Sequence, residues 1–279
     1  MDNNNNLTLQ PPFEPAILSM EVDDEDASDS EYRLRFGNEV KYLIISPGTF
    51  DRRTLSFPIP ALPHLPYHEN WTVAHVSRDR VDAELKITTS SRDLPSIKTP
   101  WHNAQFDVLK LERVKQLSVM AFEAVFRSAP QKSLLPSPAG IIAKIARFEW
   151  ELSRIERETR AYQLLEGSEL APRFLGHIHE NGRVIGFLTE KVDGRPASVQ
   201  DLGICVESLE KLHGLGHVHG DPNRYNFLIS GMDVKLLDFE HFVENASAEL
   251  MQRELDDLQV ELVDDSGRGA GFIFSDDAV

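Results

Sequence analysis

One stretch of 22 residues constrains this chain more than any bulk property. It runs His219-Gly220-Asp221-Pro222-Asn223-Arg224-Tyr225-Asn226, then Phe227-Leu228-Ile229-Ser230-Gly231-Met232-Asp233, then Val234-Lys235-Leu236-Leu237-Asp238-Phe239-Glu240. Two short apolar runs, Phe227–Ile229 and Val234–Leu237, flank the turn formers Gly231 and Asp233, a pattern that predicts an antiparallel hairpin. Pairing Ser230 with Val234 sets Asn226 opposite Asp238, and directly opposed residues share one face with Cα atoms ~4.5–5.5 Å apart. An amide and a carboxylate then meet at the mouth of the hairpin, one short loop from Asp221. Three oxygen-bearing side chains in one place suit a hard cation such as Mg²⁺.

The rest of the chain is organised around this stretch. Its 279 residues, 41% hydrophobic, suffice for a real core, and no apolar run approaches the ~18 residues of a membrane span. The opening Met1-Asp2-Asn3-Asn4-Asn5-Asn6 lacks the basic and apolar regions of a secretory signal, and Cys205 is the sole cysteine, so a reducing, intracellular setting, cytoplasmic or nuclear, is expected. The net charge of -16 is concentrated at the two ends. Residues 1–31 hold nine acids and no Lys or Arg, and residues 244–279 hold ten acids against two bases, whereas residues 32–243 carry 27 bases and 26 acids. Duplex nucleic acid is a poor partner for such a surface, because phosphate binding draws on clustered Lys and Arg. The acidic ends read as solvated, with protein docking as their alternative role. Residues 1–30 are expected to form a disordered leader, and 31–105 a strand-rich extension with runs such as Tyr42–Ile45 and Val81–Ile87 broken by prolines. A more regular region follows, with strands at Phe106–Leu111, Val119–Phe126, Ile141–Ala146 and Val184–Val192. Helices are expected at Glu149–Leu165, capped near Gly167, at Val199–His213, and at Ala246–Val263.

The string from His219 to Glu240 resembles the catalytic loop and metal-binding strand pair of the protein-kinase-like superfamily. It is most similar to the aminoglycoside-phosphotransferase and RIO-like branches, where His-Gly-Asp replaces His-Arg-Asp and Asp-Phe-Glu can replace Asp-Phe-Gly. The resemblance spans residues 106–243. It implies that Asp221 accepts the proton of an attacking hydroxyl, and that Asn226 and Asp238 hold the Mg²⁺ or Mn²⁺ ions that bridge the phosphates of ATP. The superfamily also requires a strand lysine on the α/β-phosphates and a helix glutamate to hold it. Lys144, in Ile141-Ile142-Ala143-Lys144-Ile145-Ala146, fits the first. For the second, a projection at ~100° per residue puts Glu158 in the apolar sector with Ile155, Leu152, Tyr162 and Leu165, while Glu156 points away and Glu151 lies almost two turns earlier. A buried carboxylate calls for a cation, and Lys144 supplies it. Glu190 and Val192 border the implied adenine slot, where backbone groups would bind the base.

The departures from the family pattern shape the reading. No glycine lies between Phe106 and Ala139, so the Gly-rich phosphate cover is missing or replaced near Glu112–Gln116. Position 223 is Asn, where Ser/Thr kinases have Lys. Only 41 residues follow Asp238, so the C-lobe is abbreviated. His217-x-His219-x-Asp221 also resembles the metal motif of metallo-β-lactamase-type hydrolases, but Pro222 stands where that motif continues into His. His213 and His217 read as helix-end residues, His177 and His179 as structural or exposed, and Cys205 as an inert core thiol. The expected architecture is an α+β, two-lobed kinase-like fold: leader 1–30, extension 31–105, N-lobe 106–192, abbreviated C-lobe 193–263, acidic tail 264–279. The implied function is Mg²⁺/ATP-dependent transfer of a phosphoryl group to a hydroxyl acceptor of unknown identity. A pseudokinase that binds nucleotide or a protein partner without turnover is the alternative, and a metallohydrolase is a distant third.

Overall fold

Apolar alternation in residues 30–45 folds into a tight antiparallel pair. Strands β2 (Ser30–Phe36) and β3 (Glu39–Ile45) pair in register from Ser30 opposite Ile45 to Phe36 opposite Glu39, and Gly37, at φ +67°, takes the left-handed step of the turn. The computed structural model describes residues 14–63, 65–67, 70–79, 81–127 and 140–272, and its contacts divide the chain into Met1–Pro95 and Ser96–Val279. In the first unit β1 (Ala16–Glu21) adds to β2, while β4 (Val73–Arg78) runs parallel to β3 and carries β5 (Leu85–Ser90) at the far edge. The crossover from β3 to β4 contains the short helix α1 (Arg52–Ser56), whose first turn is capped by Asp51 accepting from Thr54 N at 2.7 Å. Tyr32, Leu34, Phe36, Leu43, Ile45, Leu55, Trp71 and Val76 make its core.

Three expectations for this region need correction. The leader predicted over residues 1–30 contains strand β1, and the acidic run after it is a turn in which the Asp23 carboxylate accepts from Glu25, Ala27 and Ser28 backbone N–H groups. Acidic composition reads as solvation, but here a carboxylate organises its own backbone. Residues 1–13 of that leader, like 273–279 of the tail, lie outside the described residues. The run Val81–Ile87 starts as a turn, because Asp79 and Asp82 accept from Val81 N and Glu84 N, and the strand begins at Leu85. Finally, residues 96–104 belong to the second unit instead of an extension reaching 105. Ile97 N donates to Val184 O at 3.0 Å, and His177 Nε2 accepts from both Trp101 N and His102 N.

The second unit is built on a six-stranded sheet in the order β6-β10-β11-β9-β8-β7. Its strands are β6 (Gln105–Asp107), β7 (Leu111–Gln116), β8 (Ala121–Phe126), β9 (Ile141–Ile145), β10 (Phe174–Glu180) and β11 (Arg183–Glu190), all paired antiparallel except β6 with β10. The run predicted as one strand over Phe106–Leu111 is broken by a 3₁₀ turn at Val108–Lys110, which Asp107 caps. Helix α2 (Leu152–Leu164) packs on this sheet through Ile155, Ala161 and Tyr162, with the Tyr162 ring 5.2 Å from that of Phe187. A 3₁₀ turn at Glu149–Glu151 leads into it, and Gly167, at φ +76°, follows its end. Beyond β11 come β12 (Arg195–Pro196), helix α3 (Leu202–Gly214), the hairpin β13 (Phe227–Ser230) and β14 (Asp233–Leu236), and helix α4 (Ala248–Val263). The described residues thus make a mixed α+β protein with three separate sheets. Among the described residues, no helix is long and apolar enough to cross a membrane.

Candidate active site

The site is assembled from strand β9, helices α2 and α4, and the loops of the second unit that bear Asp221, Asp238 and Arg268. Lys144 lies on β9 between Ala121 of β8 and Phe187 of β11, with only 7% of its surface exposed. Its ammonium stands 2.6 Å from Glu158 Oε2 on α2, donates to Asp238 Oδ1 at 2.7 Å, and lies 3.1 Å from Glu240 Oε1. The three glutamates near α2 have separate tasks. Glu158 is buried against Lys144. Glu156 is turned outward and accepts from Thr99 Oγ1 at 2.6 Å, while Glu151 accepts from Arg147 N and Phe148 N ahead of the helix and pairs with the Arg147 guanidinium at 2.7 Å.

One ammonium among three carboxylates, with the half-exposed Arg154 guanidinium 3.8 Å from Glu240, leaves a local excess of one negative charge. Burial pushes Glu158 up to about 7 against the pull of Lys144, and Asp238 and Glu240 add to the push. Burial by itself would lower Lys144, but the three carboxylates outweigh it and raise the ammonium above its ordinary value. Burial would raise Asp238, yet Lys144 wins and holds it low. Carboxylate oxygens of Glu158, Asp238 and Glu240 fall within 4.8 Å of one another. The Lys144 ammonium already stands among these oxygens, so a divalent cation could take Asp238 as a ligand only if Lys144 let go of it.

The hairpin register differs from the expected one by a residue. Ser230 pairs with Asp233 instead of Val234, through the two-residue turn Gly231-Met232, with Gly231 at φ +64°. Asn226 is therefore joined to Leu237, whose N–H donates to the Asn226 carbonyl at 2.9 Å, and does not sit across the ladder from Asp238. Asp238 leaves the strand in a left-handed conformation, φ 61° and ψ 70°, at the start of the 3₁₀ turn Phe239–His241. That step takes it out of the ladder, and its carboxylate meets Lys144.

In the loop bearing Asp221, Asn226 Nδ2 donates to the Asp221 carbonyl at 2.8 Å and approaches Asp221 Oδ2 at 3.4 Å, so Asn226 Oδ1 is the atom that could serve a cation. Asn223 Nδ2 donates to Asp221 Oδ2 at 3.0 Å. His219 is fully buried. Its Nε2 donates to Leu237 O at 2.8 Å and its Nδ1 accepts from Asp221 N at 3.4 Å, which fixes the neutral tautomer, and burial lowers its pKa. With both ring nitrogens committed to backbone, His219 is a brace between the loop bearing Asp221 and the strand entering Asp238, and no metal ligand. His213 lies in the last turn of α3, as expected of a helix-end residue, with its Nε2 2.7 Å from Glu254. At the end of β11 the Glu190 backbone N–H donates to Arg173 O, and its carboxylate accepts from Arg173 N at 3.1 Å. Its side chain is thus committed to that backbone, and Val192 follows two residues on, half-buried.

Four residues of the site had not been singled out as functional. Glu254 accepts from Gly220 N at 2.7 Å and His219 N at 3.3 Å, so a buried carboxylate of α4 holds the loop that bears Asp221. Its spacing with Leu258 and Leu262, all buried on one helix face, was a readable signal. Glu240 could have been found as the third residue of Asp-Phe-Glu. Asn223 and Arg268 gave no pattern. Arg268 Nη1 donates to Asp221 Oδ1 at 2.9 Å.

No family model matches the chain. It is 33% identical over 92 residues to a protein of Methanothermobacter thermautotrophicus (strain Delta H) described as a probable bifunctional tRNA threonylcarbamoyladenosine biosynthesis protein. That match covers 31% of this chain and 17% of the relative.

Proposed function

We propose that residues 96–279 form a two-lobed, protein-kinase-like phosphotransferase that moves the γ-phosphoryl group of ATP, with Mg²⁺ or Mn²⁺, to a hydroxyl acceptor. The observation that carries this reading is the meeting of Lys144 from a central strand, Glu158 from the following helix and Asp238 from the end of the hairpin, with the ammonium 2.6 Å and 2.7 Å from the two carboxylates. Lys144, released from Asp238 and still held by Glu158, would grip the α/β-phosphates. Asp238 and Asn226 Oδ1 would hold the cation. The bound cation supplies charge neutralisation on the phosphates. Asp221 takes the proton of the acceptor hydroxyl, and His219, Glu254 and Asn226 keep its loop in place. The backbone of Glu190–Val192 would receive the adenine. The partial match extends the proposal to a setting, tRNA threonylcarbamoyladenosine synthesis, since the chain shares a segment with a protein bearing that name.

The test is Asp221→Asn in the full chain. Mg²⁺/ATP binding should persist while transfer of labelled γ-phosphate, to the protein itself or to a panel of alcohols, amino-sugars and protein acceptors, falls ~10²–10⁴-fold. A second reading, a nucleotide-binding pseudokinase, is favoured by one observation: both Asp221 carboxylate oxygens already accept hydrogen bonds, from Asn223 and Arg268. It prevails if wild type and Asp221→Asn bind Mg²⁺/ATP alike and neither transfers phosphate.

A further inference from the structure

Residues 264–272, which follow α4, do not leave the molecule as a solvated tail. Three positive-φ glycines, Gly267, Gly269 and Gly271, alternate with Arg268 and Ala270 and carry the backbone along a path closed to larger residues. Arg268 Nη1 donates to Asp221 Oδ1 at 2.9 Å, and its other nitrogens meet Glu261 and, at 3.7 Å, Asp264. One residue on, Gly269 lies flat against Asn223: a Cβ there would stand 2.7 Å from both Asn223 side-chain polar atoms. Gly271 passes the Leu117 carbonyl just as closely, and Phe272 N donates to Leu117 O at 2.7 Å. Leu117 lies in the turn joining β7 to β8, the place left for a phosphate cover in a chain with no glycine-rich loop.

We propose that residues 264–272 are an autoinhibitory strap: it runs from the catalytic loop to the β7–β8 turn, sets Arg268 on Asp221 where the acceptor hydroxyl must come, and has to lift before transfer. This rests on the phosphotransferase reading. Oδ1 accepts from Arg268 and Oδ2 from Asn223; each oxygen can accept more than one bond, so the obstruction is the Arg268 guanidinium itself, which occupies the approach to Oδ1. The ion pair is half exposed, so it holds the strap weakly enough for release. An arginine that instead assisted transfer would have to leave Asp221 first.

Two readouts on the full chain test the strap, each in wild type, Arg268→Ala and Gly271→Val. The first is hydrogen exchange at the Phe272 amide, expected to be protected in wild type and to exchange at least about fivefold faster in both variants. The second is γ-phosphoryl transfer with Mg²⁺/ATP, expected to rise about fivefold in both variants with ATP affinity unchanged, and less in Arg268→Lys. An unprotected Phe272 amide in wild type overturns the strap. Protection combined with unchanged or lower transfer in Arg268→Ala overturns the inhibitory role and makes Arg268 a helper cation. If no form transfers phosphate, the phosphotransferase reading fails and the inhibitory role falls with it, while the exchange data still report whether the segment is docked.

Discussion

Glu158→Gln should make the second unit more stable above neutral pH, although it removes one side of a 2.6 Å ion pair. The carboxyl of Glu158 is 3% exposed and shares Lys144 with two further carboxylates, so burial and like charge push it up to about 7 from an ordinary 4.5. A carboxylate raised in the folded state favours folding below its unfolded value, and that advantage is lost as pH rises toward the folded value. A tenfold weakening of the acid on folding is worth about 1.4 kcal/mol, so wild type should lose about 3 kcal/mol between pH 4.5 and 8 from this group. Lys144 contributes nothing to that slope, because it stays charged in both states over the range. Glutamine keeps the shape, cannot ionise, and leaves Lys144 paired with Asp238 and Glu240. Urea unfolding at pH 5, 6, 7 and 8, followed by fluorescence of Trp101 and Trp150 in a Trp71→Phe background, reads the second unit alone. The variant-minus-wild-type difference should be near zero at pH 5 and grow to about 2–3 kcal/mol in the variant's favour at pH 8. A difference that is flat, or that turns against the variant as pH rises, would refute the excess-charge account of the site.

Two other substitutions separate the metal site from the loop that bears Asp221. Asp238→Asn should abolish the Mg²⁺-dependent part of ATP affinity while leaving the fold intact; calorimetric titration with and without Mg²⁺ checks it, and equal metal dependence in variant and wild type would count against Asp238 as a ligand. Glu254→Gln removes the charge that holds Gly220 N, His219 N and His213, and should cost about 1–3 kcal/mol with a fall in turnover larger than any change in ATP affinity; a stability loss with turnover per folded molecule unchanged would limit Glu254 to a structural role.

How much of this could be read from residues depends on how local the signal was. The helical face that distinguishes Glu158 from Glu156 is a matter of angle within one helix, and the structure puts the first on Lys144 and the second on Thr99. The hairpin was legible as a hairpin, but its register was not. A turn of two residues or three is decided by Gly231 and Met232, and a slip of one residue moves every pairing. What recovers the carboxylate of Asp238 is its left-handed backbone, which no apolar pattern announces. The acidic ends misled for a different reason. Composition averages over a segment, whereas single side chains, Asp23 on its own turn and Arg268 on Asp221, fix the described parts of these ends through specific bonds.

Gly220 joins the two halves of the site, and its replacement gives the sharpest structural test. It sits at φ +85°, and a Cβ built on it would run into the carbonyl of His241, in the 3₁₀ turn that begins at Asp238. The loop bearing Asp221 and the turn bearing Asp238 are thus in direct backbone contact, which explains why His-x-Asp takes glycine here. Gly220→Ala must either strain a left-handed backbone, at about 1–2 kcal/mol, or push the two loops apart. Moving them apart stretches the His219–Leu237 bond and the Glu254–Gly220 bond together. The expected result is a loss of at least about 2 kcal/mol, with weaker Mg²⁺-dependent ATP binding even though alanine touches neither nucleotide nor metal. Calorimetry and urea unfolding on the same preparation measure both. If Gly220→Ala lowers stability but leaves metal-dependent ATP affinity at the wild-type value, the two loops are not coupled through this contact.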